Sequence, residues 1–228
     1  DGNSFSSVND TVTITMPVAY CKTMDWTGAL LSPRFISTNC VLNIYGSLKL
    51  EAGMLFKTSE ISFESTSPGE VITSKGYYYN GTNFRFNGIG GGWTFTDSLK
   101  GGANIYLTNG TLNTNSQYIG CNSLFAGSSS MPTLLLGTTT IDCIFGFNAN
   151  SSTELTLNAA ASTIRCTSFS SGANQHYNDV ESYHNININY GSINNAICED
   201  FNGDNNSINN LQFTSTASFY GDSNFNKN

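Results

Sequence analysis

The chain has 228 residues, of which 39% are hydrophobic and only 11% are charged. It is long enough to bury a sizeable core, and its polar surface must come largely from Asn, Ser, Thr and Gly. The net charge is −7, and no stripe of Lys or Arg offers counter-charge to a phosphate backbone, so the sequence argues against nucleic-acid binding. No apolar run approaches the roughly 18 residues of a membrane span.

Short runs of alternating apolar and polar residues follow one another along the chain, with Gly, Asn, Ser and Asp between them. This pattern predicts many short β-strands joined by turns. The one helical candidate, residues 157–163, is short and lies inside a repeat. In chain order, the predicted strands are residues 11–15, 42–50, 61–63, 84–86, 93–96, 105–107, 186–188 and 211–219.

A repeat of Ile, any residue and Cys determines which all-β architecture we expect. Its copies are Ile119-Gly120-Cys121, Ile141-Asp142-Cys143 and Ile164-Arg165-Cys166, and Phe125, Phe147 and Phe169 follow at nearly constant offsets. The Leu134/Leu136 pair recurs as Leu155/Leu157, 21 positions later. A fourth copy, Ile197-Cys198 with Phe201, comes 32 positions after Cys166, as if one turn carried an insertion.

A period near 22 residues is typical of one coil of a solenoid, whereas a propeller blade needs about 40. We therefore predict an all-β fold, a right-handed parallel β-helix (solenoid) with coils of about 22 residues. An antiparallel sandwich is the alternative, but it does not require the same residue types to recur at one spacing. The predicted inward residues are Leu134, Leu136, Ile141, Leu155, Leu157 and Ile164.

Several segments resemble the coils of large bacterial surface and secreted repeat proteins. They are 25-DWTGA-29, 42-LNIYGSLKL-50, 90-GGGWTFTDSL-99, 107-LTNGTLNTN-115, 138-TTTIDC-143 and 153-TELTLNAAASTI-164. The resemblance covers roughly residues 10–220. Repeat proteins of this kind are similar to the β-helical adhesins exported by the type IX secretion pathway. It implies a secreted or cell-surface location. The chain opens at Asp1, and we expect one β-helical domain, residues 1–228, excerpted from a longer protein.

Six cysteines could form a metal site, a disulfide staple or a thiol ladder: Cys21, Cys40, Cys121, Cys143, Cys166 and Cys198. Their spacings match coils rather than zinc motifs, and no Cys-x-x-Cys pair occurs. Stacked cysteines would lie about 5 Å apart at Cα, within reach of a disulfide. We favour buried thiols, because directly stacked parallel strands aim both Cβ atoms in the same direction.

The densest titratable cluster is 176-HYNDVESYH-184. Strict alternation would place His176 and His184 on one face, together with Asn178, Val180 and Ser182. It would place Asp179 and Glu181 on the opposite face, where a carboxylate pair could perform acid–base chemistry or bind Ca²⁺. The simpler interpretation, which we favour, is a solvated strand exterior.

Two further patterns suggest ligand binding. Asp200, Asn202, Asp204 and Asn206 echo the first half of a calcium-binding EF-hand loop, so they are the predicted metal ligands. Leu211 stands where the loop's terminal Glu belongs. Otherwise the stretch is an Asn/Asp-rich corner. Apart from calcium we expect no cofactor. The triplet Tyr77, Tyr78 and Tyr79 must expose at least one ring, which could stack on a sugar or close the end of a coil.

Three functional classes remain. We favour a non-catalytic structural or adhesive segment of an extracellular or cell-surface protein, a rigid rod that presents a polar face to surface glycans or to other surface proteins. The first alternative is a carbohydrate-active β-helix enzyme, a polysaccharide lyase or a glycoside hydrolase, with Asp179 nearest to a catalytic group. The second is an ice-binding protein, for which Thr11, Thr13 and Thr15, echoed by Thr138 and Thr140, begin a threonine row.

Overall fold

In the computed structural model the chain is a stack of parallel β-coils. The structure describes residues 7–8, 10–127, 131–150, 155–188, 190–214, 219–221 and 224–225, and it contains no helix within them. The strands are β1 (Thr11–Ile14), β2 (Val18–Cys21), β3 (Met24–Asp25), β4 (Arg34–Ser37), β5 (Val41–Ile44), β6 (Leu48–Lys49), β7 (Leu55–Lys57), β8 (Glu60–Phe63), β9 (Glu70–Thr73), β10 (Tyr78–Phe86), β11 (Gly92–Phe95), β12 (Lys100–Leu107), β13 (Thr111–Asn113), β14 (Ile119–Ala126), β15 (Thr133–Leu135), β16 (Thr140–Ala149), β17 (Thr156–Ser171), β18 (His176–Ile188), β19 (Ser192–Cys198), β20 (Asp200–Asn202), β21 (Ser207–Phe213), β22 (Phe219–Tyr220) and β23 (Asn224–Phe225).

Each coil up to residue 158 has three strand segments in succession, which we call faces 1, 2 and 3. Face 1 contains β1, β4 and β7 and the first parts of β10, β12, β14 and β16. Face 2 contains β2, β5 and β8 and the second parts of those longer strands, beyond a register irregularity. Face 3 contains β3, β6, β9, β11, β13, β15 and the start of β17. The predicted parallel β-helix with coils of about 22 residues is confirmed.

Inward side chains stack on their equivalents in the next coil, because the strands of faces 2 and 3 pair in parallel from coil to coil. Those of face 1 do so from β1 to β7 and again from β10 onward. The longest ladder lies inside face 2 and is fully buried. Its members are Leu42, Ile61, Phe84, Ile105, Leu124, Phe147, Phe169, Ile186 and Phe201. Burying a side chain of this size contributes roughly 1.5–3 kcal/mol, so this ladder is a major source of the rod's stability.

The repeat is confirmed for Ile119, Ile141 and Ile164, which pair directly across successive coils. Two details of the predicted alignment were wrong. Leu157 pairs with Leu134 rather than with Leu136, and it is only partly buried. Phe125 points outward, and Leu124 occupies the inward position opposite Phe147.

From β17 onward the coils are shorter, because face 3 shortens and leads directly into face 1. Face 3 continues in register, since Ala159 pairs with Tyr177, Tyr177 with Ile193, and Ile193 with Ile208. Thr163 pairs with Asp179, 16 positions later, and Ser192 pairs with Ser207, 15 positions later. The spacing of 32 between Cys166 and Cys198 is therefore not one coil with an insertion. It is two short coils, and Ser182 is the partner of Cys166 in the coil between them.

Candidate functional site

The carboxylate pair of β18 lies on the outer surface, as predicted, and both of its members already bond to neighbouring coils. Asp179 accepts a hydrogen bond from Asn195 Nδ2 at 2.6 Å and one from Thr163 Oγ1 at 3.4 Å. Glu181 Oε2 lies 3.5 Å from Arg165 Nε. These contacts run along the rod axis, so the pair is part of the coil-to-coil bonding of face 1.

The predicted grouping of both histidines with Val180 and Ser182 was wrong. Val180 and Ser182 are buried, whereas both histidines are exposed. The pairing of β17 with β18 shifts register between Ala159 and Thr163 and again between Cys166 and Ser168, which breaks strict alternation. His176 Nδ1 bonds to Ser192 Oγ at 2.7 Å, and His184 Nδ1 lies 3.0 Å from Glu199 Oε2.

The four predicted calcium ligands lie on and just after β20. Asp200, Asn202 and Asp204 are exposed, but Asn206 is buried. The Asn206 amide accepts a hydrogen bond from Gly191 N–H at 2.9 Å and donates one to the Ile188 carbonyl at 2.7 Å. In the described ranges no three His, Cys, Asp or Glu side chains come within reach of one metal ion. Calcium binding here stays a prediction.

All six cysteines are free thiols, and two of the three repeat cysteines stack directly on each other as predicted. Cys121 pairs with Cys143 in register, and their Sγ atoms are 3.5 Å apart. The contact with Cys121, and then burial, raise the pKa of Cys143 well above its usual value. Burial raises the pKa of Cys166 to about 12 and that of Cys198 to about 11. These thiols are protonated near neutral pH and are therefore weak nucleophiles and weak metal ligands.

The threonine row that suggested ice binding does not continue into the next coil, where other residue types take the equivalent positions. Thr11 pairs with Arg34, and Thr13 pairs with Ile36. Thr140 pairs with Thr163, which pairs with Asp179. No two of these coils in succession present the same pair of outward threonines.

An outward row on face 1, which we call the groove row, brings together residues that the sequence analysis did not combine. It runs along the rod axis, one residue per coil, with neighbours about 4.8 Å apart. Its members are Tyr78, Lys100, Gly120, Asp142, Arg165 and Glu181. Because Gly120 has no side chain, the row has a gap there. The gap lies in a groove of about 450 Å³, which is lined by Tyr78, Lys100, Gly101, Tyr118, Gly120, Cys121, Asp142 and Ile144.

Tyr118 forms one wall of this groove and is fixed in place. Its hydroxyl donates a 2.9 Å hydrogen bond to Asp142 Oδ2. Burial, and then the hydrogen bond to the carboxylate, raise the pKa of Tyr118 to about 12, so the phenol stays protonated. Asp142 Oδ1 lies 3.4 Å from Arg165 Nη1. The groove thus has a hydrogen-bonded wall with its charges largely paired.

The opposite wall carries an exposed ring and a cation. Tyr78 is 62% exposed, whereas Tyr79 is completely buried, which confirms that the tyrosine triplet exposes at least one ring. Lys100 pairs with Tyr78 across the coils. It has no carboxylate within ion-pair distance in the part of the chain that the structure describes. The signal for this site was present in the repeat, since Gly120, Asp142 and Arg165 are the middle residues of its three copies.

Face 2 carries a second outward aromatic cluster. The Tyr106 and Phe125 rings stack at 5.1 Å between centroids, and the Arg85 guanidinium lies 4.8 Å from the centre of the Tyr106 ring. Arg85 Nε also lies 3.1 Å from Glu60 Oε1. Because these groups contact one another, the cluster is a packed ridge rather than a cavity.

No family model, curated protein or solved structure matches this chain. Within the described residues there is no helix that could cross a lipid bilayer.

Proposed function

We propose that the chain is a non-catalytic structural and adhesive segment of a secreted or cell-surface bacterial protein, a β-helical rod that presents a polar face to glycans or to other surface proteins. The observation that carries the proposal is the continuity of the rod. One buried ladder runs from Leu42 to Phe201 without an interruption. A stack of this kind is stiff, because each coil is bonded to the next through both its backbone and its core.

The outer surface supports binding better than proton transfer. General acid–base catalysis needs a positioned group that is available to exchange a proton with the substrate. Asp179 and Glu181 instead bond to Asn195 and Arg165 of adjacent coils. Amide, hydroxyl and aromatic side chains dominate the remaining outward positions, and such groups suit the recognition of sugar hydroxyls and ring faces.

The test is to incubate the purified protein with a broad panel of polysaccharides, measuring product formation and retention on immobilised glycans in parallel. We expect binding without turnover, and binding that persists in an Asp179→Asn, Glu181→Gln double variant. The control for altered surface charge is Asp25→Asn with Glu60→Gln, which also removes two carboxylates that pair with a neighbouring coil, on Lys49 and Arg85. Turnover that disappears in the double variant but not in the control would refute the adhesive function and identify an enzyme.

A further inference from the structure

The gap at Gly120 is not required by the backbone. Gly101, which also lines the groove, has φ +132°, and a Cβ there would lie 2.1 Å from the Tyr79 carbonyl oxygen, so only glycine fits. Gly120 has an ordinary strand conformation, and a Cβ would meet only the side chain of Tyr118, at 3.1 Å from its hydroxyl and 3.2 Å from its ring. This contact is tight, so a side chain at position 120 would shift the Tyr118 ring. Glycine weakens a strand interior and often marks the close approach of a ligand or another backbone.

The size of the gap matches a small ligand. Lys100 and Asp142 lie one coil on either side of Gly120, so their backbones are about 10 Å apart, two strand spacings. The volume of about 450 Å³ falls within the range of roughly 300–1,000 Å³ that is typical of small-molecule sites. The aromatic walls can pack against the apolar face of a sugar ring while polar groups at its edge fix the orientation.

The charges of the groove indicate which sugar it suits. Arg165 is shared between Asp142 and Glu181, at 3.4 and 3.5 Å, so its charge is offset by two carboxylates. Lys100 lies at the other end of the groove with no such partner among the described side chains. Its ammonium is therefore available to an anionic substituent. Asp142 accepts a hydrogen bond from Tyr118 at one oxygen and pairs with Arg165 at the other. Each oxygen retains a lone pair that can accept a hydrogen bond from a sugar hydroxyl.

We propose that the groove over Gly120 binds one residue of an acidic, uronate-containing saccharide. In this arrangement Tyr78 and Tyr118 contact the ring, Lys100 pairs with the carboxylate, and Asp142 accepts hydroxyl hydrogen bonds. The inference rests on the proposed adhesive function and assigns its binding face to face 1. Because Tyr118 is held by Asp142 before any ligand arrives, little conformational freedom is lost at that wall on binding.

The test is calorimetric titration with short oligogalacturonates and, in parallel, with neutral cello-oligosaccharides. The key variant is Gly120→Val, which fills the gap with a residue that strands favour. Gly146→Val is its matched control, since Gly146 also lies in a strand of ordinary conformation and its Cβ would meet only the Ser168 carbonyl at 3.4 Å. We expect Gly120→Val to weaken oligogalacturonate binding at least about tenfold, equivalent to about 1.4 kcal/mol, and Gly146→Val to leave it unchanged.

Two further variants separate the roles of the walls. Lys100→Gln should remove the preference for the acidic over the neutral oligosaccharide, while Lys57→Gln should preserve it. Tyr78→Ala should weaken both ligands, whereas Tyr20→Ala, which removes another exposed ring (69% exposed), should weaken neither. Circular dichroism and the unfolding midpoint check that each variant is folded, and Gly120→Ala is the milder substitute if Gly120→Val does not fold.

The outcomes distinguish the subsite from the general function. Wild-type binding that Gly120→Val and Tyr78→Ala leave intact would overturn the subsite, while the adhesive proposal would survive through another face. Equal affinity for acidic and neutral oligosaccharides would overturn the assignment of the ligand as anionic. If the wild-type protein binds neither oligosaccharide but is retained on other immobilised glycans, the subsite alone is wrong. If it is retained on no glycan, the glycan-binding part of the proposed function fails as well.

Discussion

The wider coils up to residue 158 and the shorter coils from residue 163 onward stack in the same way, but face 3 is reduced in the shorter coils. Both groups of coils bury aromatic rings, and Phe169 and Phe201 are the face 2 rings of the shorter ones. In the wider coils, Phe86 packs against Phe63 and Trp93 with centroid distances of 4.8 and 5.3 Å. The shorter coils place Val180 and Ala196 at successive positions of the face 1 ladder. Parallel stacking therefore does not depend on coil length, whereas the side-chain volume inside does, because interiors pack at nearly constant density.

Polar side chains bond one coil to the next along the outer edges of both regions. At a turn of the wider coils, Asp97 accepts hydrogen bonds from the backbone N–H groups of Ser74 and Lys75, at 2.8 and 2.7 Å. In the shorter coils, amide side chains bond to one another from coil to coil. The two ladders are Asn178–Asn194–Asn209 and Asp179–Asn195–Asn210, with separations between 2.6 and 3.1 Å. Asn109 and Asn87 bond in the same way in the wider coils, at 3.0 Å, so both regions combine a stacked core with polar bonds between coils at the surface.

The largest expected effect comes from truncating the core of the wider coils. Phe86→Ala should lower the free energy of unfolding by about 3–5 kcal/mol, because it leaves a cavity between Phe63 and Trp93. Val180→Ala, in the shorter coils, should cost roughly 1.5–3 kcal/mol at most. Urea denaturation measures both values, and Phe125→Ala on the outer surface is the control for loss of a ring. If Val180→Ala costs more than Phe86→Ala, the difference in cross-section does not control the energetics.

A second pair of substitutions probes face 3 at the point where the coils begin to shorten. Leu134 is completely buried and its partner Leu157 is only partly buried. Leu134→Ala should therefore cost about 2–5 kcal/mol and Leu157→Ala clearly less. Equal losses in urea denaturation would contradict this expectation and show that Leu157 is enclosed as fully as Leu134.

The architecture of the wider coils could be predicted from the sequence, but the change in coil length could not. Ile119, Ile141 and Ile164 recur because each occupies one inward position, and that made the period visible. In the shorter coils Val180 and Ala196 hold the same position, and Ser182 replaces the cysteine. The position stays apolar in these coils, but the residue type changes from one coil to the next. The repeat therefore cannot be recognised by looking for the same residue.

The errors in register have a simple geometric origin. A slip of two residues leaves an inward side chain inward, because strand side chains alternate with a period of two. Pairing Leu136 with Leu157, instead of Leu134 with Leu157, was therefore consistent with the hydrophobic pattern. The groove could have been found by stacking the middle residues of the Ile-x-Cys copies. The wall opposite Tyr118 could not, since Tyr78 and Lys100 belong to coils without that motif.

Alkaline pH should separate coils that bury a thiol from the coil that has Ser182 at the same position. The pKa of Cys166 is raised from 9.0 to about 12 by burial. Between these values the unfolded chain loses its proton first, so the contribution of Cys166 to stability is present below pH 9 and is lost as the pH rises toward 12. From pH 7 to pH 10 the loss should be about 1.4 kcal/mol. Cys166→Ala should remove that part of the decline in urea denaturation, and an unchanged pH profile would contradict a buried neutral thiol.

The smallest expected effect concerns the amide ladders of the shorter coils. Asn194 donates to Asn178 Oδ1 at 3.1 Å and accepts from Asn209 Nδ2 at 2.8 Å, so Asn194→Ala removes two ladder bonds. Asn178→Ala removes one of them. A hydrogen bond contributes about 0.5–1.5 kcal/mol net, and less where water can replace the partner. We therefore expect Asn194→Ala to destabilise the protein about twice as much as Asn178→Ala in urea denaturation. Losses too small to measure in both variants would mean that water substitutes for the ladder, and that backbone pairing and the narrow core are sufficient to hold the shorter coils together.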